Sequence, residues 1–223
     1  MNAQSDQYLQ LPEPPSAARR IAMGAKHHFS GTLVFGEGAG RTMQVESHTE
    51  MQVALVMLAR PEVIDLENQL PHRWTDRDGA LRTHFFDFRV SLRNGSRIAL
   101  IVRSARKAAN LDFRQTVRLI ASQVLPEFAD QVGVMTEKHL DPIEVHNAEL
   151  IQSVRQSDPE ADAEVRSVIS GMVGAGRIGD LAERTGLRGR GFRAVVRLIR
   201  RQELVLATHE RITHDALVRK RAA

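Results

Sequence analysis

Asp87 stands inside an apolar run, Phe85-Phe-Asp-Phe88. A carboxylate in such a place costs free energy unless it is paired or ligating. It is therefore expected to be a site residue, paired with Arg103 or Arg89. Arg103 can contact phosphate but cannot serve as a base, because a guanidinium stays protonated. Lys107 follows closely enough to reach back toward the same place. Glu50 ends Ser47-His-Thr-Glu50, which has the spacing of a capping box. As a cap alone it would stabilise a helix start by about 1 kcal/mol. A second set of candidates lies near the C-terminus. Arg190, Arg193, Arg197 and Arg201 step by three and four, with Arg188 before the row and Arg200 beside it. On a helix they share much of one face, and Arg forks suit phosphates and guanine edges in a major groove. The alternative for this row is a solvated basic face.

Other residues point to little chemistry. With no cysteine, thiol catalysis, thiolate zinc sites and disulfides are excluded. The nine histidines lack HxxxH spacing, and the adjacent His27 and His28 read as solvated. His84 is expected to face away from Asp87. Gly36-Glu-Gly-Ala-Gly40 lacks the Gly-Lys-Ser/Thr end of a phosphate loop and reads as a turn. Trp74 is assigned to packing within a polar turn.

The elements that must position these residues follow from patterning. The 223 residues, 42% hydrophobic and 26% charged, allow one or two globular domains. Residues 1–25 read as a loose tail, in which Pro12, Pro14 and Pro15 forbid regular pairing. Strands are expected over 42–46, 63–69, 81–90, 97–102 and 131–137. The hairpin turn Arg93-Asn-Gly95 joins the third and fourth. Pro71–Ala80 reads as a polar turn. Helices are expected from Ser47 to Pro61, over 113–124 (Val117, Leu119, Ile120 and Val124 inward) and over 143–155. Asp158-Pro159 starts a helix over 160–173. Helices 178–185 and 192–204 follow, then a two-stranded wing over 205–212. Helix, turn, helix and wing form the pattern of a winged helix-turn-helix. In its second helix Phe192, Val195, Val196 and Ile199 face inward. The domains are thus 26–156 and 157–223.

Charge is distributed unevenly. Residues 177–221 hold 12 basic and 5 acidic side chains, whereas the first 176 residues carry a net charge of −3. This asymmetry directs an anionic partner toward the C-terminal end. Of the 31 basic residues 27 are Arg, which a GC-rich genome would also produce.

Three blocks in order resemble the TnsA-like endonuclease family of transposons, within the PD-(D/E)XK nuclease superfamily. The first is Arg41–Glu50 with Val63-Ile-Asp-Leu-Glu-Asn-Gln-Leu-Pro71. The second is His84–Val90, Gly95 and Ile98-Ala-Leu-Ile-Val-Arg103. The third is Val134-Met-Thr-Glu137 with His146-Asn-Ala-Glu-Leu150. The resemblance spans about residues 25–155. It implies an α/β fold, a PD-(D/E)XK-like mixed sheet flanked by helices, and metal-dependent phosphodiester cleavage. Glu50 falls on the family's helix glutamate and Asp87 on its strand aspartate. The next strand departs from the pattern: where the family has Glu or Gln, one residue, then Lys, this chain has Ile101, Val102 and Arg103. Ile101 cannot bind a cation, and no Asp, Glu or Gln lies between Asp87 and Asp112 to replace it. If Ile101 and Arg103 face Asp87 and Glu50, an Arg–carboxylate cluster stands in place of a metal site. Glu50, Asp87 and Arg103 are then a vestigial catalytic set.

The resulting expectation is a cytoplasmic protein, without signal peptide or membrane span, that binds double-stranded DNA through Arg188, Arg190, Arg193, Arg197, Arg200 and Arg201. Its nuclease centre is inactive and needs no cofactor. Its role lies in transposition, DNA processing or transcriptional control, and the resemblance adds a transposase or ATPase as a protein partner. One alternative is an active endonuclease in which Glu50 and Asp87 hold Mg²⁺. Another is a protein–protein adaptor.

Overall fold

The computed structural model describes residues 10–15, 17 and 29–221. Most of the expected tail, 1–25, lies outside them, as do His27 and His28. Glu13, flanked by prolines, bridges to the main chain at Gly40 and Thr42.

Strands β1 (Gly31–Phe35) and β2 (Arg41–Val45) form an antiparallel hairpin. Its turn places Gly36, Gly38 and Gly40 at positive φ, a backbone that glycine alone adopts cheaply. Helix α1 (His48–Ala59) starts where the Ser47 hydroxyl accepts the Glu50 N–H, 3.1 Å. The reciprocal arm reaches one residue beyond a standard capping box. Glu50 accepts from the Glu46 N–H and from the Ser47 hydroxyl, both at 2.9 Å. Val53 to Met57 are all buried, so α1 is a core helix rather than a surface one.

The central sheet has the order β3 (Val63–Thr75), β4 (Leu81–Leu92), β5 (Arg97–Val102), β6 (Gln131–Met135). The first two pairings are antiparallel and the last parallel, making a mixed sheet. Its β3 corrects the expected turn over Pro71–Ala80: the strand runs on to Thr75, and only Asp76–Ala80 turns. Pro71 pairs opposite Phe85 because β3 is an edge strand, where a missing N–H is tolerated. Trp74 therefore lies on a strand opposite Arg82, packed against the core.

Two apolar layers sandwich the sheet. One holds α1, the β1–β2 hairpin, Leu66, Phe88, Val90, Leu100 and Val102, with Val145 and Ala148 of α4 (Pro142–Ser153). The other holds Phe86, Ala99, Ile101 and Ile120, with Phe113, Val117 and Val124 packed on. The last residues belong to α3 (Leu111–Ala121) and its exit; the short α2 (Ala105–Ala108) precedes it. Of the four residues expected on this buried side, Ile120 is buried, Val117 and Val124 pack against the cluster half-buried, and Leu119, also half-buried, is not part of it.

The C-terminal elements are α5 (Pro159–Ser170), β7 (Ala175–Arg177), α6 (Ile178–Arg184), α7 (Gly189–Arg200), β8 (Leu204–Leu206) and β9 (Leu217–Lys220). Asp158 caps α5 by accepting the Ala161 N–H. The expected two-stranded wing over 205–212 is corrected to a three-stranded antiparallel sheet, β7-β9-β8. The cause is long-range: Asn147 of α4 takes the Ile212 N–H (2.7 Å) and donates to the Glu210 carbonyl (2.9 Å). That pulls the intervening loop onto α4, and the returning strand begins only at Leu217. Helix α7 ends at Arg200, before the expected Leu204, which enters β8. Among the described residues no helix is long and apolar enough to cross a membrane.

Candidate functional site

Asp87 lies where β4 changes faces. Phe86 and Phe88, two residues apart, sit in different cores, although regular alternation would keep them together. Opposite Asp87, between the pairs Asn68–Phe88 and Leu70–Phe86, Gln69 has φ 54° and is buried. This left-handed, non-glycine residue marks a local strain that interrupts the pleat. The ladder from β4 to β5 ends at Phe88. Beyond it, the Asp87 carboxylate accepts the Val102 N–H at 2.7 Å and Arg103 Nη1 at 3.2 Å. Asp87 is 5% exposed, so both bonds are made in a largely desolvated place. Of the two partners expected for Asp87, Arg103 is the one found; Arg89 instead pairs with Glu67 at 2.7 Å.

Glu50 and Asp87 are close enough for each charge to act on the other. Burial raises the Glu50 pKa from the ordinary carboxylate range, and the Asp87 charge adds to the rise; the Glu46 N–H and Ser47 pull it back. Glu50, Arg103 and Lys107 line one cleft of about 290 Å³ with Ser47, Thr49, Val102 and Ser104. Ile101 lies elsewhere: it is 0% exposed, in the core formed by Phe86, Ala99 and Ile120. The condition that Ile101 and Arg103 share the carboxylates' face is not met. Val102 contributes its N–H instead, and Arg103 comes just after the end of β5. A divalent cation between Glu50 and Asp87 would have to displace the Arg103 guanidinium and meet its positive charge. The groups present thus fit a Mg²⁺ ion poorly. Among the described residues no three His, Asp or Glu side chains form a metal-holding group.

His84 flanks this region. It pairs in register with His72 and packs edge-on to Phe86, ring centroids 4.8 Å apart. The Nε2 atoms of His72 and His84 are both buried without a hydrogen-bond partner. Burial, then the Arg103 charge, then His72 lower the His84 pKa to about 4. Unfolded, the imidazole titrates near its ordinary value of 6.5. The unfolded chain therefore binds more protons between these values, and stability declines as pH falls through that window. The thermal midpoint of the wild type is expected to drop between pH 6.5 and 4.5, and His84→Phe to flatten that drop. A set of melting curves across this range checks it.

The C-terminal arginines do not form one open row. Arg197 is 5% exposed, and its Nε donates to Asp162 at 2.6 Å; Arg201 donates to the other oxygen of Asp162, also at 2.6 Å. Arg190 binds both oxygens of Asp158 (2.9 Å each) and Glu160 (2.6 Å), which holds the Asp158 pKa down at about 2. Arg200 is half-buried in a cavity with Gly36, Gln152 and Ile151. Arg188 and Arg193 remain exposed. Of the expected groove-facing row, Arg197 is buried, and Arg190 and Arg201, still partly exposed, are held in ion pairs with Asp158, Glu160 and Asp162. Arg197 is buried because α7 is packed from Ala194 to Ile199 between α5, α6 and β8. Gly191 permits this closeness: a Cβ there would lie 2.4 Å from Thr185 Oγ1 and 2.8 Å from the Ala182 carbonyl.

Sequence reasoning missed a different basic surface. From Arg103 to Arg118 the chain has five basic side chains and one acid, Asp112. Arg106, Lys107, Arg114 and Arg118 are exposed, and none is in an ion pair among the described residues. A local charge count over α2 and α3 would have found them. No family model and no curated protein matches the chain.

Proposed function

We propose that this is a double-stranded-DNA-binding protein with a TnsA-like, PD-(D/E)XK-type core whose cleavage centre is inactive. A winged-helix module follows the core, with the two domains at 26–156 and 157–223. The protein acts in transposition, DNA processing or transcriptional control, with a transposase or ATPase as its protein partner. One observation carries the reading: the Asp87 carboxylate is taken up by the Val102 N–H and the Arg103 guanidinium. The pairing leaves a cleft without a cation's ligand set, in which Lys107 is a cation outside any ion pair among the described residues, and this suits phosphate contact rather than phosphodiester hydrolysis. Supercoiled plasmid incubated with Mg²⁺ or Mn²⁺ is expected to stay intact while the protein retards linear duplex in a gel. Metal-dependent nicking that Asp87→Ala abolishes would overturn the inactive-centre reading.

The active endonuclease has one feature in its favour, Lys107 in the same cleft as Glu50. The same plasmid experiment decides between the two. The adaptor reading draws on the internal pairing of Arg190, Arg197 and Arg201, which leaves α7 little charge for a phosphate backbone. It requires that no duplex be retarded at any salt concentration.

A further inference from the structure

We infer that the DNA backbone lies across α2 and α3, at the mouth of the Glu50 cleft, rather than along α7. The inference rests on the DNA-binding reading above and names its surface. Arg103, Arg106, Lys107, Asn110 and Phe113 line an open depression of about 450 Å³. It adjoins the cleft of Glu50, because Arg103 and Lys107 line both. Arg114 and Arg118 extend the surface along α3, one helical turn apart and about 6 Å along its axis. Their neighbours Phe113 and Val117 pack against the core, so the inward side of α3 is fixed and the basic side is left to solvent. The tip of the β3–β4 hairpin adds another cation: Arg77 donates to the neutral Gln115 of α3 at 2.6 Å.

Charge complementarity selects the occupant. Phosphate neutralisation needs cations that are not already neutralised, since counterion release scales with the number of phosphates newly contacted. On the C-terminal helix three arginines are committed to Asp158, Glu160 and Asp162. On α2 and α3 the four exposed cations have no such partner, and the adjoining Arg103 is paired with Asp87. A closely spaced set of exposed cations of this kind matches a polyanion rather than one small anion, because the depression it borders is open to solvent.

The experiment is fluorescence anisotropy of a labelled 30-base-pair duplex with the full chain, over 50–300 mM salt. Arg106→Gln, Arg114→Gln and Arg118→Gln are combined in one variant. Removing one phosphate neutralisation lowers the slope of log K on log salt by about 0.9, so a fall of about two to three is expected. Affinity at 0.1 M salt should weaken by more than about tenfold. All three side chains are exposed and unpaired, so the fold is left intact and the thermal midpoint serves as a check. A second variant, Arg188→Gln with Arg193→Gln, is expected to change less. The inference is overturned if the triple variant loses no more affinity than this double one. If the wild type binds no duplex at 50 mM salt, the DNA-binding reading itself falls.

Discussion

Asp162→Ala is expected to destabilise the protein by about 3–5 kcal/mol, the range for breaking one side of a buried ion pair. In a chain of this size that lowers the thermal midpoint by roughly 6–20 °C. Asp162 is 1% exposed and is shared by Arg197 and Arg201. Without it the buried Arg197 guanidinium has no hydrogen-bonded carboxylate, because its Nη2 already lacks a hydrogen-bond partner and Asp158, its remaining counter-charge, is 4.0 Å away. Arg201 is about one-third exposed and can turn to water. The loss therefore belongs to Arg197. A double variant, Asp162→Leu with Arg197→Met, tests that assignment. Replacing both charges by apolar groups of similar volume is often neutral or better, so it should melt within a few degrees of the wild type. Equal losses in the single and double variants would mean that packing, not an orphaned charge, sets the effect.

The same cluster shows what the sequence could not reveal. Arg197 and Arg201 share a helical face with Arg190 and Arg193 by spacing alone, and spacing is blind to Asp162, 35 residues upstream of Arg197. Local signals were more legible. Ser47, Asn94-Gly95 and Asp158-Pro159 each fix a neighbouring bond or turn, and each marked its element. Pro71 misled because its meaning depends on whether the strand is an edge, a property of the sheet and not of the chain. The partner of Asp87 was legible, since a carboxylate among phenylalanines must be satisfied and Arg103 was at hand. The Val102 N–H as its other partner was not, because it depends on the face switch at Gln69. The cations of α2 and α3 were hidden by averaging: the first 176 residues sum to −3, although Arg103–Arg118 is strongly positive.

Asp87→Ala should lower stability by about 1–3 kcal/mol, because it strands the buried Val102 N–H without an acceptor. Asp87→Asn keeps an oxygen for that N–H and should lose less. Glu50→Gln should act in the opposite direction. Its amide oxygen can still accept the Glu46 N–H, while the substitution removes a charge disfavoured by burial and by Asp87. A carboxyl pKa raised in the fold means that stability falls as pH rises through that raised value. Glu50→Gln should thus melt above the wild type at pH 7, and the gap should close as acid protonates Glu50. These signs separate a structural Asp87 from a metal ligand. Were the two carboxylates held together only by a cation, removing either one would relieve repulsion and stabilise the metal-free protein. Mn²⁺ would then raise the wild-type midpoint by mass action and lose its effect in both variants. Here millimolar Mn²⁺ should move the wild type by less than about 1 °C, as expected when no folded-state site binds it. A stabilised Asp87→Ala variant, together with a wild type that Mn²⁺ stabilises, would show that Arg103 yields its place to a cation.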